Sequence, residues 1–197
     1  MTEILTTLAI AFDLPILDWI QAHLQSGLLD TIMPIITLFG EDGIFWIALS
    51  VLLIVLPKTR KIGLGMIFSL AIGLLICNIT LKPLVARPRP YDFQLEHFGV
   101  TINLLVEGLH DFSFPSGHTI ASFEAATVLL KNSKKMGIPA MILAVLIAFS
   151  RLYLYVHYPT DVIVAIVLGI VIAFIGDFLA AKVAPALAPK KKGRFER

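Results

Sequence analysis

The chain has 197 residues, of which 57% are hydrophobic and only 15% are charged, and its mean hydropathy is +0.87. A soluble domain carries roughly 25% charged residues, so this composition predicts a membrane protein. The net charge of +2 and the long apolar stretches exclude both a nucleic-acid-binding protein and a disordered chain. The one cysteine, Cys77, lies within an apolar stretch, which excludes a disulfide framework and a cysteine-rich metal site.

Residues 1–42 are predicted to form an N-terminal interfacial segment. In this segment Leu17, Ile20, Leu24 and Leu28 recur at helical spacing, with aspartate and glutamine on the opposite side. Such a pattern is typical of an amphipathic helix that lies in the plane of the membrane interface. An irregular sixth span within the same segment is the alternative.

The remainder of the chain is predicted to be an all-α polytopic helix bundle. A helical span needs about 20 residues to cross a hydrocarbon core of roughly 30 Å. The five predicted transmembrane helices cover residues 43–57, 61–82, 116–131, 137–156 and 160–182. A transmembrane domain then occupies residues 43–184, and residues 185–197 form a basic cytoplasmic tail.

The distribution of basic residues predicts the orientation of these spans. Twelve of the 16 basic residues lie in residues 58–61, 131–135 and 182–197. Because basic loops remain in the cytoplasm, these three segments are assigned to the inner side of the membrane. The other four basic residues are thereby placed at the outer face, and they are Lys82, Arg87, Arg89 and Arg151.

Three polar clusters, far apart in sequence, fall at the outer ends of the predicted spans. They are residues 82–90 (KPLVARPRP), residues 114–118 (FPSGH) and residues 150–161 (SRLYLYVHYPTD). Residues from distant parts of the chain that gather at one depth predict a functional site, because intramembrane charges are costly to retain otherwise.

The outer cations indicate that this site binds an anion. Four positive side chains close together would repel one another without an anionic ligand, and the planar fork of arginine suits two oxygens of a phosphate. The alternative is that these side chains are anchors that reach the lipid headgroups. Pro88 and Pro90 stiffen the segment that carries two of the arginines, which favours a site.

The second cluster resembles the start of a helix. Ser116 is a good N-cap, and Gly117 permits close approach of a ligand to the backbone. The N–H groups at such a helix start favour an anion, and His118 follows directly. A capped helix with an interfacial histidine is the alternative interpretation.

The third cluster places His157 and Asp161 four residues apart around Pro159. A carboxylate that bonds one imidazole nitrogen fixes the tautomer and leaves the other nitrogen free to attack a substrate. The alternative is a solvated loop histidine beside a capping aspartate. Arg151, earlier on the same predicted span, favours a catalytic interpretation.

The same histidines could serve as metal ligands, but four neighbouring cations would disfavour a divalent ion. We therefore expect neither a metal nor another cofactor. A pocket of cations, helix N–H groups and two histidines can transfer a phosphoryl group if one histidine attacks and the other protonates the leaving oxygen.

The three clusters resemble the motifs of the type 2 phosphatidic acid phosphatase superfamily. That pattern is lysine, six residues and Arg-Pro, then Pro-Ser-Gly-His, then Ser-Arg, five residues, histidine, three residues and aspartate. It is matched without a gap by Lys82 to Arg89-Pro90, by Pro115 to His118, and by Ser150-Arg151 to His157 and Asp161. The resemblance covers about residues 43–180.

The resemblance implies a role for each matching residue. His157 is the nucleophile that forms a phosphohistidine, Asp161 orients it, and His118 protonates the leaving group and then activates water. The implied phosphate ligands are Lys82, Arg89, Ser116, Gly117 and Arg151. Arg87 lies outside the pattern and is kept as an accessory cation, and Glu124, two turns below the site, has no implied role.

The sequence thus predicts a lipid phosphatase of the undecaprenyl diphosphate phosphatase type, acting at the outer face of a bacterial inner membrane in cell-wall carrier recycling. Its expected partners are the lipid phosphate or diphosphate substrate and membrane lipids, and no nucleic acid. Phosphatidylglycerophosphate and phosphatidic acid are alternative substrates, because the motifs bind only the shared phosphate. A transporter is the alternative from another class. It would show broken helices near the midplane and repeated halves, whereas the charges here are predicted at one face.

Overall fold

The computed structural model describes residues 3–187 and contains only helices and connecting loops within that range. The N-terminal part comprises α1 (Glu3–Leu8), a π-helical turn (Ala9–Asp13), α2 (Leu14–Leu24) and α3 (Gly27–Leu38). Most of the predicted basic tail, residues 188–197, lies outside the described residues.

The remaining elements follow in chain order. They are a 3₁₀ turn (Glu41–Gly43), α4 (Ile44–Val55), α5 (Arg60–Gly73), a π-helical segment (Leu74–Leu81), α6 (Lys82–Val85), α7 (Pro90–Phe98), α8 (Gly117–Asn132), α9 (Lys134–Tyr153), α10 (Pro159–Val183) and a second 3₁₀ turn (Ala184–Leu187).

The predicted all-α bundle is confirmed, and the chain is a multi-pass integral membrane protein. Three helical stretches are long and apolar enough to cross a membrane, namely Arg60–Phe98, Lys134–Tyr153 and Pro159–Ala186. α3 and Glu41–Val55 meet the same criterion together, with a bend of 40° between them, which gives up to four candidate spans. Helices suit this environment because they satisfy their own backbone hydrogen bonds in lipid.

Of the five predicted spans, α8 does not meet this criterion, and α4 meets it only together with α3. α8 has only 16 residues, and its buried positions occur on every side of the helix from Thr119 to Leu129. A helix that is surrounded by protein does not need a continuous apolar surface, so α8 can carry serine, threonine and glutamate where a lipid-facing helix could not.

The helices pack closely at the centre of the bundle, around α5, α8 and α10. At Gly176 of α10 a Cβ atom would lie 2.1 Å from Ser69 Oγ of α5, so only glycine permits this approach. At the end of the bundle that carries two of the basic segments, Asp177 pairs with Lys131 at 2.7 Å and with Lys61 at 3.9 Å.

The N-terminal segment follows its predicted amphipathic pattern as far as the end of α2. Leu17 and Ile20 are buried, whereas Leu28 is 70% exposed. The pattern ends because Ser26 begins a new helix, where its hydroxyl accepts a hydrogen bond from the Leu29 N–H. The polar side of α2 also has partners, since Asp18 accepts a hydrogen bond from Tyr155 Oη at 2.6 Å.

Candidate active site

The proline-rich segment between α6 and α7 carries two arginines that face in different directions. Ala86 adopts a left-handed conformation with φ 47° and ends α6. The chain then runs without helical structure to Arg89, whose φ of −73° and ψ of 156° are extended. In a regular extended strand, Arg87 and Arg89 would lie on the same side because they are two residues apart. The left-handed Ala86 interrupts the regular geometry, and the two guanidinium groups pair with different carboxylates.

Arg89 contacts the loop that carries His157. Its Nη1 donates to the carbonyl oxygen of Val156 at 2.7 Å and lies 3.3 Å from His157 Nε2. Its Nε donates to the Asp111 carbonyl oxygen at 2.9 Å, and its Nη2 pairs with the Asp111 carboxylate. The first and third sequence motifs therefore meet at this guanidinium.

The carboxylate of Asp111 bridges two of the predicted phosphate ligands, Arg89 and Lys82. The side chain of Asp111 is 52% exposed, whereas those of Lys82 and Arg89 are 14% and 2% exposed. Partial burial raises the pKa of Asp111, but hydrogen bonds from Lys82 and Arg89 outweigh it and hold the pKa below its usual value. A half-exposed anion thus lies on the cations predicted to bind phosphate.

His157 lies in the loop between α9 and α10 and is almost completely buried. Its Nδ1 is 3.5 Å from Asp161 Oδ2, which is beyond good hydrogen-bond length but close enough for an electrostatic contact. The N–H of His157 donates to the carbonyl oxygen of Arg151 at 3.3 Å. This backbone hydrogen bond fixes the loop that carries the imidazole, whose Nδ1 faces Asp161 and whose Nε2 faces Arg89.

Burial lowers the pKa of His157 well below its usual value, which favours the neutral imidazole that a nucleophile requires. Nearby positive charges act in the same direction, and in decreasing order they belong to Arg89, Arg151, Lys82 and His118. These residues come from all three sequence motifs, so the predicted convergence is present in the structure.

The other predicted phosphate ligands lie at the start of α8 and the end of α9. Ser116 occupies the N-cap position of α8, but its hydroxyl is 2.9 Å from the Thr119 hydroxyl and makes no hydrogen bond to the helix backbone. Gly117 lies beside Asn78, because a Cβ atom there would be 3.3 Å from Asn78 Oδ1. Arg151, 3% exposed, donates from Nη1 to the Thr37 hydroxyl of α3.

His118 in the first turn of α8 packs against the bend between α3 and α4. A Cβ atom at Gly40 would lie 2.9 Å from His118 Cδ2, so the backbone of this bend touches the imidazole directly. Gly40 lies outside the predicted sequence motifs. Its position before Glu41 and Asp42 indicates only a turn, so the sequence does not predict a contact with His118.

Arg87, the accessory cation outside the motifs, faces the protein's own carboxylates. Its guanidinium is buried and donates to the carboxylates of Asp13 and Asp161, so its charge is neutralised within the protein. Glu124 lies deeper in the bundle, against Gly73, and does not contact the site. Asp13 and Asp111 are the site carboxylates that sequence analysis missed, and the excess of cations in the motifs was the available signal for them.

Within residues 3–187 no group of three or more histidine, cysteine, aspartate or glutamate side chains has the arrangement of a metal site. The arrangement that is present consists of a buried imidazole beside a carboxylate, with arginine and lysine on its other side. It can bind an oxyanion and attack it with a histidine nitrogen.

Comparison with known proteins assigns a class to this fold and site. The sequence profile of the PAP2 superfamily matches residues 62–179. The chain belongs to the PAP2 superfamily and is a hydrolase of its phosphatase type.

Individual proteins agree with this assignment. An undecaprenyl-diphosphatase of Sulfolobus acidocaldarius is 36% identical over 152 residues, which are 77% of this chain and 70% of the relative. The undecaprenyl-diphosphatase BcrC of Bacillus subtilis is 31% identical, over 77% of this chain and 75% of the relative. The crystal structure of a transmembrane PAP2 type phosphatidylglycerolphosphate phosphatase from Bacillus subtilis aligns with a TM-score of 0.69 and 27% identity, over 99% of this chain and 90% of that structure.

Proposed function

We propose that this protein hydrolyses undecaprenyl diphosphate to undecaprenyl phosphate and inorganic phosphate through a phosphohistidine intermediate. The observation that carries the proposal is the position of His157, with Nδ1 facing Asp161 at 3.5 Å and Nε2 facing Arg89 at 3.3 Å. The similarity to undecaprenyl-diphosphatases supports the choice of lipid.

In the first chemical step Nε2 of His157 attacks the terminal phosphorus, and the bond from phosphorus to the bridging oxygen breaks. Asp161 holds the Nδ1–H and stabilises the positive charge that develops on the imidazole. His118 donates a proton to the departing oxygen. In the second step His118 removes a proton from water, which attacks the phosphohistidine and releases inorganic phosphate.

The phosphate is held by the cations and by the start of α8. The proposed ligands are Lys82, Arg89, Arg151, the Ser116 hydroxyl and the Gly117 N–H. These donors stabilise the negative charge that develops on the phosphoryl oxygens, and hydrogen bonds to the Val156 carbonyl and the Thr37 hydroxyl already orient Arg89 and Arg151. The reaction in this scheme uses side chains alone, so activity is expected to survive EDTA.

Phosphatidylglycerophosphate is the second candidate substrate. It is favoured by the alignment with the phosphatidylglycerolphosphate phosphatase structure, which extends over the N-terminal segment as well. Phosphatidic acid shares the same phosphate and belongs to the same group. The protein purified in detergent is to be assayed for phosphate release from all three lipids, and a higher kcat/KM for either glycerolipid would replace undecaprenyl diphosphate as the proposed substrate.

We further propose five membrane crossings, formed by α4, α5 with its π-helical extension, α8, α9 and α10, with the active site at the outer face of the cytoplasmic membrane and the N-terminal segment at the interface. The contacts of Asp177 with Lys61 and Lys131 support this topology, because they bring two basic segments to the end of the bundle opposite Lys82 and Arg89. An outward site can reach a carrier lipid that is released after wall synthesis.

Sidedness can be tested with single cysteines in a Cys77→Ser background. A cysteine at the exposed Asn103, in the loop after α7, should react with a membrane-impermeant maleimide in cells whose outer barrier has been opened. A cysteine at the exposed Lys134, at the start of α9, should react only after lysis. The opposite labelling pattern would contradict both the topology and the recycling role.

A further inference from the structure

Arg87 is a buried cation that the proposed phosphate site does not use. Its Nη1 donates to Asp161 Oδ1 at 2.6 Å and to the Thr160 hydroxyl at 2.8 Å. Its Nη2 donates to Asp13 Oδ2 at 2.6 Å. The side chains of Arg87, Asp13 and Asp161 are at most 1% exposed, so this arrangement is shielded from bulk solvent.

Asp13 comes from the N-terminal segment, at the end of the π-helical turn before α2, and contacts the first turn of α10. Its Oδ1 accepts from the Thr160 N–H at 2.9 Å, and its Oδ2 accepts from the Thr160 hydroxyl at 2.8 Å. The ring of Tyr158 covers the other side, with the Arg87 Cζ 3.6 Å from its centroid. The guanidinium is therefore held on three sides and cannot rotate without breaking several contacts.

The two oxygens of Asp161 have different partners. Oδ1 is bound by Arg87, and Oδ2 accepts from the Tyr158 N–H at 3.0 Å and faces His157 Nδ1. A carboxylate held at one oxygen by a rigid guanidinium can present the other oxygen to the imidazole in one orientation only. Asp13 in turn holds the guanidinium of Arg87 in place, because hydrogen bonds from Thr160 fix both oxygens of the Asp13 carboxylate.

We propose that Arg87 and Asp13 are positioning residues for the catalytic histidine, so that the N-terminal segment completes the active site through the contacts Asp13–Arg87–Asp161–His157. This inference rests on the proposed function, since it needs His157 to be the nucleophile. Neither residue touches the substrate, and no proton moves along the chain of contacts. Loss of a residue that orients a metal-bound histidine typically costs 10- to 100-fold in activity, and we expect a loss of similar size for this metal-free histidine.

The experiment measures phosphoenzyme formation by the full chain in detergent, with undecaprenyl diphosphate labelled at its terminal phosphate. Rapid quenching yields the number of sites that form an acid-labile phosphoenzyme and the rate constant per site, and steady-state assays yield KM. The variants are Arg87→Gln, Arg87→Lys and Asp13→Asn. The matched control is Asp30→Asn, because Asp30 also ties the N-terminal segment to α9, through Tyr153 Oη at 2.5 Å, but has no contact with Arg87 or Asp161.

For Arg87→Gln and Asp13→Asn we expect the rate constant per site to fall about 10- to 100-fold while KM stays within about twofold of wild type. Arg87→Lys keeps the charge but cannot span both carboxylates in the same way, so its loss should be smaller than that of Arg87→Gln. A double variant that combines Arg87→Gln with Asp13→Asn should lose less than the product of the two single losses, because both residues act on the orientation of Asp161. Asp30→Asn should retain the wild-type rate constant.

A lower number of reactive sites or a lower melting temperature with an unchanged rate constant per site would overturn the inference and leave only a structural ion pair. Should Arg87→Gln fail to fold, Asp13→Asn decides the question by the same criterion. If wild type hydrolyses the lipid without an acid-labile phosphoenzyme, the proposed nucleophile is wrong. If wild type forms one and the Arg87 variants form it at the wild-type rate, only the present inference is wrong.

Discussion

Arg87 and Arg89 are separated by one proline, yet their surroundings differ in a way that separates two tasks. Arg87 is enclosed by two carboxylates that are fully buried, whereas Arg89 shares a carboxylate that is 52% exposed. A buried ion pair has no water to replace a lost partner and is costly to break, while a half-exposed pair is screened and can exchange. Arg87 is therefore suited to hold the protein's own groups, and Arg89 to accept a substrate.

The largest expected effect comes from His157, which Arg89 contacts directly and Arg87 contacts through Asp161. His157→Ala should abolish turnover while leaving the protein folded, because His157 lies in a loop and not among the packed helices. The measurement is phosphate release per folded protein, with the melting temperature as control. Residual activity above about one part in a hundred would contradict the role, since loss of a covalent catalyst should exceed the roughly 100-fold contribution of a general acid.

Replacement of each arginine by lysine should distinguish Arg89 from Arg87. Arg89→Lys should raise KM for undecaprenyl diphosphate by about tenfold or more, because an ammonium group cannot form the paired hydrogen bonds that a guanidinium offers to phosphate. Arg87→Lys should leave KM close to wild type. Steady-state kinetics on both variants check this difference, and a raised KM in Arg87→Lys would show that Arg87 also binds substrate.

The contribution of His118 should depend on the leaving group of the substrate. His118→Ala should lower the rate constant of phosphoenzyme formation on phosphatidic acid by up to about 100-fold, because an alkoxide leaves poorly without a proton. Undecaprenyl diphosphate should be affected less, since its leaving group is already a phosphate anion. Because His118 also activates water in the second step, the measurement is the rate constant of phosphoenzyme formation on the two lipids, and equal losses in it would remove the general-acid assignment.

The smallest effect is expected at Asp111, whose carboxylate pairs with Arg89 and Lys82. Asp111→Asn should lower KM by about threefold, because the carboxylate competes with phosphate for Lys82 and Arg89. Glu107→Gln, an exposed neighbour in the same loop, is the control for net charge. An unchanged or higher KM in Asp111→Asn would show that Asp111 orients the two cations for phosphate and does not compete with it.

The pH dependence of this effect follows from the lowered pKa of Asp111. Burial works against ionisation there, but the hydrogen bonds from Lys82 and Arg89 prevail. The ion pair is therefore complete above the usual carboxyl pKa of about 3.9 and is lost only as the pH falls through the lowered value. The ratio of the two KM values, wild type to Asp111→Asn, should stay constant from about pH 5 to about pH 8, and a change within that range would contradict the assignment.

Local sequence was sufficient for the class of protein and for the motif residues that the structure brings together around His157. Composition and apolar runs determine that the chain enters a membrane as helices, because no other backbone structure in such short apolar segments satisfies its hydrogen bonds in lipid. The basic segments and the three motifs place Lys82, His118 and His157 at helix ends, since capping residues and prolines act within one turn of where they stand. These signals have a short range, so they can be read from neighbouring residues.

The partners of the charged side chains depend on tertiary structure alone. Arg87 and Arg89 have the same side chain and nearly the same neighbours, and only the packing of residues 74 positions away decides that Arg87 meets Asp13 and Asp161. Asp111 and Glu107 are the two acidic residues in the loop after α7, and no pattern distinguishes them before the loop folds over Lys82. Electrostatic contacts between distant segments carry no periodicity or spacing, so they emerge only when the helices that carry them are packed together.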